Sequence, residues 1–161
     1  FIDIEGSTPM AERLGDLRWL ALLRETNSIV RAEIARYGGF EVKTIGDAFM
    51  LAFGSARRAL LCAIGVQQGI ARYSADHPEH AVRLRIGLHA GEPVREGNDF
   101  HGRSVILASR IAGEAAGGEI LASALLRELT ESAGDIRFEV GREVALKGFA
   151  GTHQVYPVRF A

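Results

Sequence analysis

Long segments with helical hydrophobic period alternate along this chain with short segments of alternating polarity. Residues 1–4 (Phe-Ile-Asp-Ile) read as a short buried strand, and a Gly-Ser-Thr-Pro turn follows. Thr8 before Pro9 predicts a helix start with proline at the first helical position. Residues 17–36 predict a long helix, with Leu20, Leu23, Val30 and Ile34 on one stripe and Arg18, Glu25 and Arg31 on the wet side. Gly38 and Gly39 end it. Two strands, 40–45 and 48–53, flank Gly46-Asp47, which is hairpin spacing. A second helix spans 55–74, with Ala59, Leu60, Ala63, Ile64, Gln67 and Ile70 on one stripe, and His77-Pro78 breaks the pattern. Residues 82–90 alternate as a half-buried strand should, with Val82, Leu84, Ile86 and Leu88 opposite Arg83 and Arg85. A glycine-rich loop, 91–102, leads to a helix at 103–115 that Gly117-Gly118 closes. A strand at 119–122, a helix at 123–131 opened by Ser123, and strands near 136–140, 142–147 and 153–159 complete the pattern.

This layout predicts an α+β fold with helices packed on a mostly antiparallel sheet. The opening order is strand, helix, strand, strand, helix, strand, which is the order of a ferredoxin-like sandwich core. In that core the first and third strands are neighbours.

Composition narrows the class. The chain has 161 residues, 47% of them hydrophobic and 24% charged, which suits one soluble globular domain over 1–161. A formal net charge of -1 argues against a surface built for nucleic acid. No apolar run reaches the roughly 20 residues that span a bilayer, so no membrane partner is expected for this segment. The lone Cys62 cannot form an internal disulfide, which fits a reducing, cytoplasmic setting. The chain opens on a strand without a starting Met, as a piece of a longer protein would.

Two acidic residues stand out by position. Asp3 interrupts an apolar strand, and Asp47 sits in the hairpin turn. Strand adjacency would let the two carboxylates face each other. Unneutralised, such a pair repels and pushes a pKa upward, and a divalent metal with oxygen ligands relieves this. Taken singly, Asp47 also suits a turn and Asp3 a cap. After Asp3 comes Glu5-Gly6-Ser7-Thr8 at a helix start, where exposed backbone N–H groups can receive phosphate or be plainly capped.

Several segments together, FIDIEGST, GGFEVKTIGDAFMLAF, LRIGLHAGEPV, Asp-Phe-His-Gly…Ala-Ser-Arg and VALKG, resemble the class III adenylyl and guanylyl cyclase catalytic domain, bacterial type, over nearly the whole chain. The resemblance implies conversion of ATP to 3′,5′-cyclic AMP and pyrophosphate. It makes Asp3 and Asp47 the metal-binding aspartates for two Mg²⁺ or Mn²⁺ ions per site, with the Ile4 carbonyl as an added ligand. Gly6, Ser7 and Thr8 would receive the terminal phosphates. Lys43 and Asp99 would be the purine-selecting pair of ATP-using members, Arg110 the arginine that steadies charge on the reacting phosphate, and Lys147 the lysine that reaches the terminal phosphates. Asp99 can accept from the adenine amino group and Lys43 can donate to N1, whereas guanine would mismatch both. Without the resemblance, Lys43 reads as a solvated strand residue, Asp99 as a loop residue, and Arg110 as a polar helix position.

One position departs from the family. Four residues before Arg110, where an asparagine usually holds the ribose, this chain has Ile106. Looser alignment predicts turnover about 10–100-fold weaker, if the lost group is worth about 1.4–2.7 kcal/mol. No obvious stand-in is present; Ser104 or Ser109 would serve only if the helix faces allow it. His101 and His89 read as structural residues. In the family the metal aspartates and the purine pair come from different subunits, so a homodimer with two equivalent sites is expected, together with regulatory domains in the full protein. Two other readings compete with this one. A non-catalytic nucleotide-binding or dimerisation module is favoured by Ile106. A two-metal phosphodiesterase or nuclease would want more His and Asp ligands.

Overall fold

The computed structural model describes all residues from Phe1 to Ala161. Its elements run β1 (Ile2–Ile4), α1 (Ser7–Leu14), α2 (Asp16–Tyr37), β2 (Phe40–Ile45), β3 (Ala48–Ala52), α3 (Ala56–Asp76), β4 (Leu84–Leu88), β5 (Val94–Glu96), β6 (Asp99–His101), α4 (Arg103–Glu114), β7 (Glu119–Ser123), α5 (Ala124–Thr130), β8 (Arg142–Val144) and β9 (His153–Pro157). Short 3₁₀ turns at Pro78–His80 and Glu131–Ala133 complete the order.

The main sheet has seven strands in the order β2-β3-β1-β4-β7-β9-β8. Its first four strands, all antiparallel, are the ferredoxin-like core, and β1 lies between β3 and β4 as expected. The one parallel pairing joins β4 to β7, after a crossover through α4.

Period-two alternation sorts the sheet's faces. Ile2, Ile4, Phe49, Leu84 and Ile86 enter the larger core with Leu22, Val30 and Ile34 of α2 and Leu60, Val66 and Ile70 of α3. Each such side chain contributes about 1.5–3 kcal/mol when fully buried. Asp3, one step out of phase with Ile2 and Ile4, faces the opposite side. That side carries α4, whose Ile111 packs with Leu121, Leu146 and Val155 in a second, smaller core. Gly87 makes the close approach possible, because any Cβ there would run into the backbone of Ala112. Gln67, buried on the otherwise apolar stripe of α3, donates to the Leu84 and Glu119 carbonyls and ties together the β4 and β7 ends.

Several expectations need correction. The first helix starts at Ser7 with Gly6 as its cap, so Thr8 is the second helical residue and Pro9 the third. Gly6 adopts φ 64°, a left-handed conformation that glycine takes at no steric cost, and this brings the chain into the helix earlier than the Thr-Pro signal suggests. Proline is tolerated because the first-turn N–H groups have no partner in the helix anyway. Leu20 is 45% exposed, and the buried stripe of α2 is instead Leu22, Thr26, Val30 and Ile34. The glycine-rich stretch 91–102 is not all loop: β5 and β6 form a hairpin in it. The strand expected at 136–140 reduces to one bridge, Phe138 with Val158.

Candidate active site

Asp3 and Asp47 converge at one end of β1. Asp47, in the turn between β2 and β3, accepts the backbone N–H of Ile4 at 2.9 Å through Oδ2, so its carboxylate lies against the residue that follows Asp3. The chain itself supplies a cation for Asp3. Arg85 stands opposite Asp3 in the β1–β4 register. It donates from Nε to Oδ1 at 2.7 Å and from Nη2 to Oδ2 at 2.8 Å. The fork to Asp3 outweighs the cost of partial burial and raises the Arg85 pKa further, and the charges of Asp3, Glu5 and Asp47 act in the same direction. In the sequence Arg85 reads as a polar alternation partner. Its one signal was an arginine in register phase with Asp3, which becomes readable only once β1 and β4 are known to pair.

The donors fit a hard divalent cation: two carboxylates and the Ile4 carbonyl are all oxygen. No group of three or more His, Cys, Asp or Glu side chains is placed to hold a metal. Asp3, Ile4 and Asp47 could therefore hold such an ion only with further oxygens from water or from a bound phosphate, which is how Mg²⁺ usually sits. Beside them, Gly6 begins α1 with no side-chain cap, so the N–H groups at Ser7 and Thr8 open the helix without a protein acceptor from a capping side chain.

Lys43 and Asp99 form a second cluster. Lys43 Nζ donates to Asp99 Oδ2 at 2.9 Å. The other carboxylate oxygen, Oδ1, accepts the N–H of Phe100 at 2.8 Å. The bond from Lys43, followed by that backbone N–H, holds the Asp99 pKa below its ordinary value. A bulge in β2 sets this geometry. Glu41 pairs with Leu51 and Lys43 with Met50, so two residues that strict alternation would put on one face point to opposite faces. Glu41 thus meets Arg31 of α2 at 2.8 Å, while Lys43 turns toward β6. His101 lies at the edge of the cluster, its Nε2 3.6 Å from Asp99 and 3.8 Å from Glu96.

Arg110 and Lys147 are exposed, and neither joins any of the nine ion pairs in the chain. Ile106, one turn before Arg110 on the same side of α4, is 49% exposed. Arg103 is occupied elsewhere, its guanidinium 4.7 Å from the centre of the Phe149 ring. His89 is packed: its Nδ1 is 2.7 Å from Ser123 Oγ, and burial, with His153 nearby, lowers its pKa. Burial pushes the Cys62 thiol up to about 12, so it is no nucleophile.

Within one chain, then, Asp3, Asp47 and Arg85 form one group and Lys43, Asp99 and His101 another. No side-chain hydrogen bond or ion pair joins the two groups.

Comparison with known proteins gives this arrangement its family. The model of the adenylate and guanylate cyclase catalytic domain matches residues 1–159. An adenylate cyclase of Mycosarcoma maydis is 34% identical in an alignment 147 residues long that covers 76% of this chain and 6% of the relative. A putative adenylate cyclase 3 of Rhizobium meliloti is 30% identical over 137 residues, 84% of this chain and 23% of that protein. Among solved structures, an adenylate/guanylate cyclase/hydrolase from Silicibacter pomeroyi superimposes with TM-score 0.82 at 28% identity, covering 98% of this chain and 92% of that one. The catalytic core of a rhodopsin-guanylyl cyclase with converted specificity, in complex with ATPalphaS, gives TM-score 0.84 at 27% identity, with coverage of 98% and 92%. The chain therefore spans a small part of the full-length curated relatives but nearly all of the solved catalytic units, and it belongs to the family of adenylate and guanylate cyclase catalytic domains.

Proposed function

We propose that this domain is an adenylate cyclase that converts ATP to 3′,5′-cyclic AMP and pyrophosphate at a site shared by two copies of the chain. The observation that carries the choice of ATP is the Lys43–Asp99 pair, a donor and an acceptor 2.9 Å apart. Adenine presents an amino donor and an N1 acceptor, which this pair can meet by opening slightly toward the base. Guanine presents a carbonyl and a protonated N1, which would leave like groups facing each other, and unpaired polar groups discriminate strongly.

The reaction needs the ribose 3′-oxygen aligned with the α-phosphorus and charge neutralised as pyrophosphate leaves. Two Mg²⁺ or Mn²⁺ ions held by Asp3, Ile4 and Asp47 would supply a lower pKa for the attacking hydroxyl and positive charge beside the phosphates. The open start of α1 at Gly6, Ser7 and Thr8 receives the terminal phosphates with its N–H groups. Arg110 and Lys147, free of intrachain partners, bring cationic charge to the α-phosphate and the terminal phosphates. The two groups of site residues are unconnected within one chain, so a two-fold pair that sets the Asp3 group of one copy against the Lys43 group of the other completes two equivalent sites.

A second reading has one observation behind it. Ile106 puts an exposed apolar side chain where the family holds ribose, as a nucleotide-binding regulatory module could afford to do. Incubation with Mn²⁺ and either ATP or GTP separates the two readings. Cyclic AMP formed in preference to cyclic GMP, and abolished by Asp3→Ala, supports the cyclase. Tight nucleotide binding with no cyclic product from either nucleotide supports the module.

A further inference from the structure

Each oxygen of Asp3 is engaged by Arg85. Its two oxygens take two separate N–H groups of one guanidinium, at 2.7 Å and 2.8 Å. The side chains are 30% and 32% exposed, so the pair is partly shielded from water and stronger than an open surface bridge. Strand register keeps Arg85 beside Asp3, because it is directly opposite Asp3 in a ladder that continues through Ile2–Ile86 and Ile4–Leu84. Asp47 is committed in part as well, through Oδ2 to the Ile4 N–H. An arriving divalent ion therefore meets a carboxylate whose in-plane face is covered by a positive group, in a place where like charges a few ångströms apart repel appreciably.

We propose that Arg85 is a resident counter-ion of Asp3 and that metal entry is an exchange, in which the carboxylate passes from the guanidinium to the cation. Arg85 is thus a positioning residue: it keeps the paired acids compatible with the fold when no metal is bound, and it lowers the affinity of the empty site for metal. This rests on the reading of Asp3 as a metal ligand. The exchange has a chemical logic. A fork that occupies one lone pair on each oxygen competes with the metal for that bidentate edge, whereas a more distant cation would only weaken binding through its field.

Mn²⁺ titration of the nucleotide-free protein, followed by electron paramagnetic resonance, tests this directly. Arg85→Gln should bind Mn²⁺ about three- to tenfold more tightly than the wild type. Arg85→Lys keeps the charge but cannot cover both oxygens, and it should also bind more tightly, by a smaller factor. Arg83→Gln removes the same charge from a neighbour that pairs with Glu5 instead, and it should leave affinity within about twofold. Wild-type affinity in both Arg85 variants, or an equal gain in Arg83→Gln, overturns the exchange. Asp3→Asn reports on the underlying reading: unchanged Mn²⁺ binding there removes Asp3 as a ligand, whatever the Arg85 variants do. Should Arg85→Gln fail to fold, the wild type still decides. The Arg85 Nε–H resonance should shift in step with Mg²⁺ saturation, and a resonance that stays fixed through saturation overturns the proposal.

Discussion

Lys43 and Asp99 lie 56 positions apart in sequence and meet at 2.9 Å, joined by a bulge in β2 on one side and a three-residue strand, β6, on the other. Breaking this pair should change base selection before it changes the fold, because both side chains are partly exposed. Lys43→Ala should lower kcat/KM for ATP by about a hundredfold and narrow the ATP-to-GTP ratio, which steady-state assays with both nucleotides would measure. An unchanged ratio removes the pair from base recognition. Mixing Lys43→Ala with Asp3→Ala should recover about a quarter of wild-type activity, since half of randomly formed dimers are mixed and each holds one intact site. Absence of recovery argues against a shared site.

Ile106 precedes Arg110 by one helical turn and projects toward solvent, so a polar substitution there meets no packing penalty. Ile106→Asn should raise kcat for cyclic AMP formation by about 10–100-fold with little change in melting temperature. Equal rates for the two proteins would mean that ribose is held by other groups.

At Gly87, β4 comes into close contact with α4. Gly87→Ala forces a methyl group into the Ala112 backbone and lifts the helix that carries Arg110 and Ile106. The expected loss is about 1–3 kcal/mol in denaturant unfolding, as for other overpacked contacts, together with most of the activity. A variant of wild-type stability would show that α4 can slide without cost.

Arg142 closes the far end of the same helix by donating to the Glu114 carbonyl and to both oxygens of Glu119. Burial alone would raise the Glu119 pKa, but the Arg142 bonds and the Ala116 N–H outweigh it, and the pKa is lowered from 4.5. A carboxyl depressed by folding adds stability that is fully present above its unfolded pKa and is lost as pH falls through the folded one. Unfolding measured across pH 3–6 should therefore show part of the acid-side loss below about 4.5 vanish in Glu119→Gln. The part removed should stay near 1 kcal/mol, because Arg142 is 41% exposed. An unaltered acid limb would assign that loss to other carboxylates.

Much of this molecule was readable from residue order alone. Ile2-Asp3-Ile4 must put its aspartate opposite its isoleucines, because a strand alternates faces, and the strand-helix-hairpin-helix-strand order is enough to bring β1 beside β3. The three longest helices, α2, α3 and α4, appear within one or two residues of their predicted ends because their apolar period and terminal glycines or serine are local signals. Three features had no local signal. The Glu41–Lys43 bulge, which turns Lys43 to the side of Asp99, reverses what strict alternation predicts, and only the pairing of β2 with β3 creates it. The β5–β6 hairpin hides in a glycine-rich stretch whose polar residues give no period. Arg85 reads as one more solvent-facing arginine until β4 is aligned on β1, because an ion pair spanning 82 positions depends on strand register, a property of two segments that neither one encodes by itself.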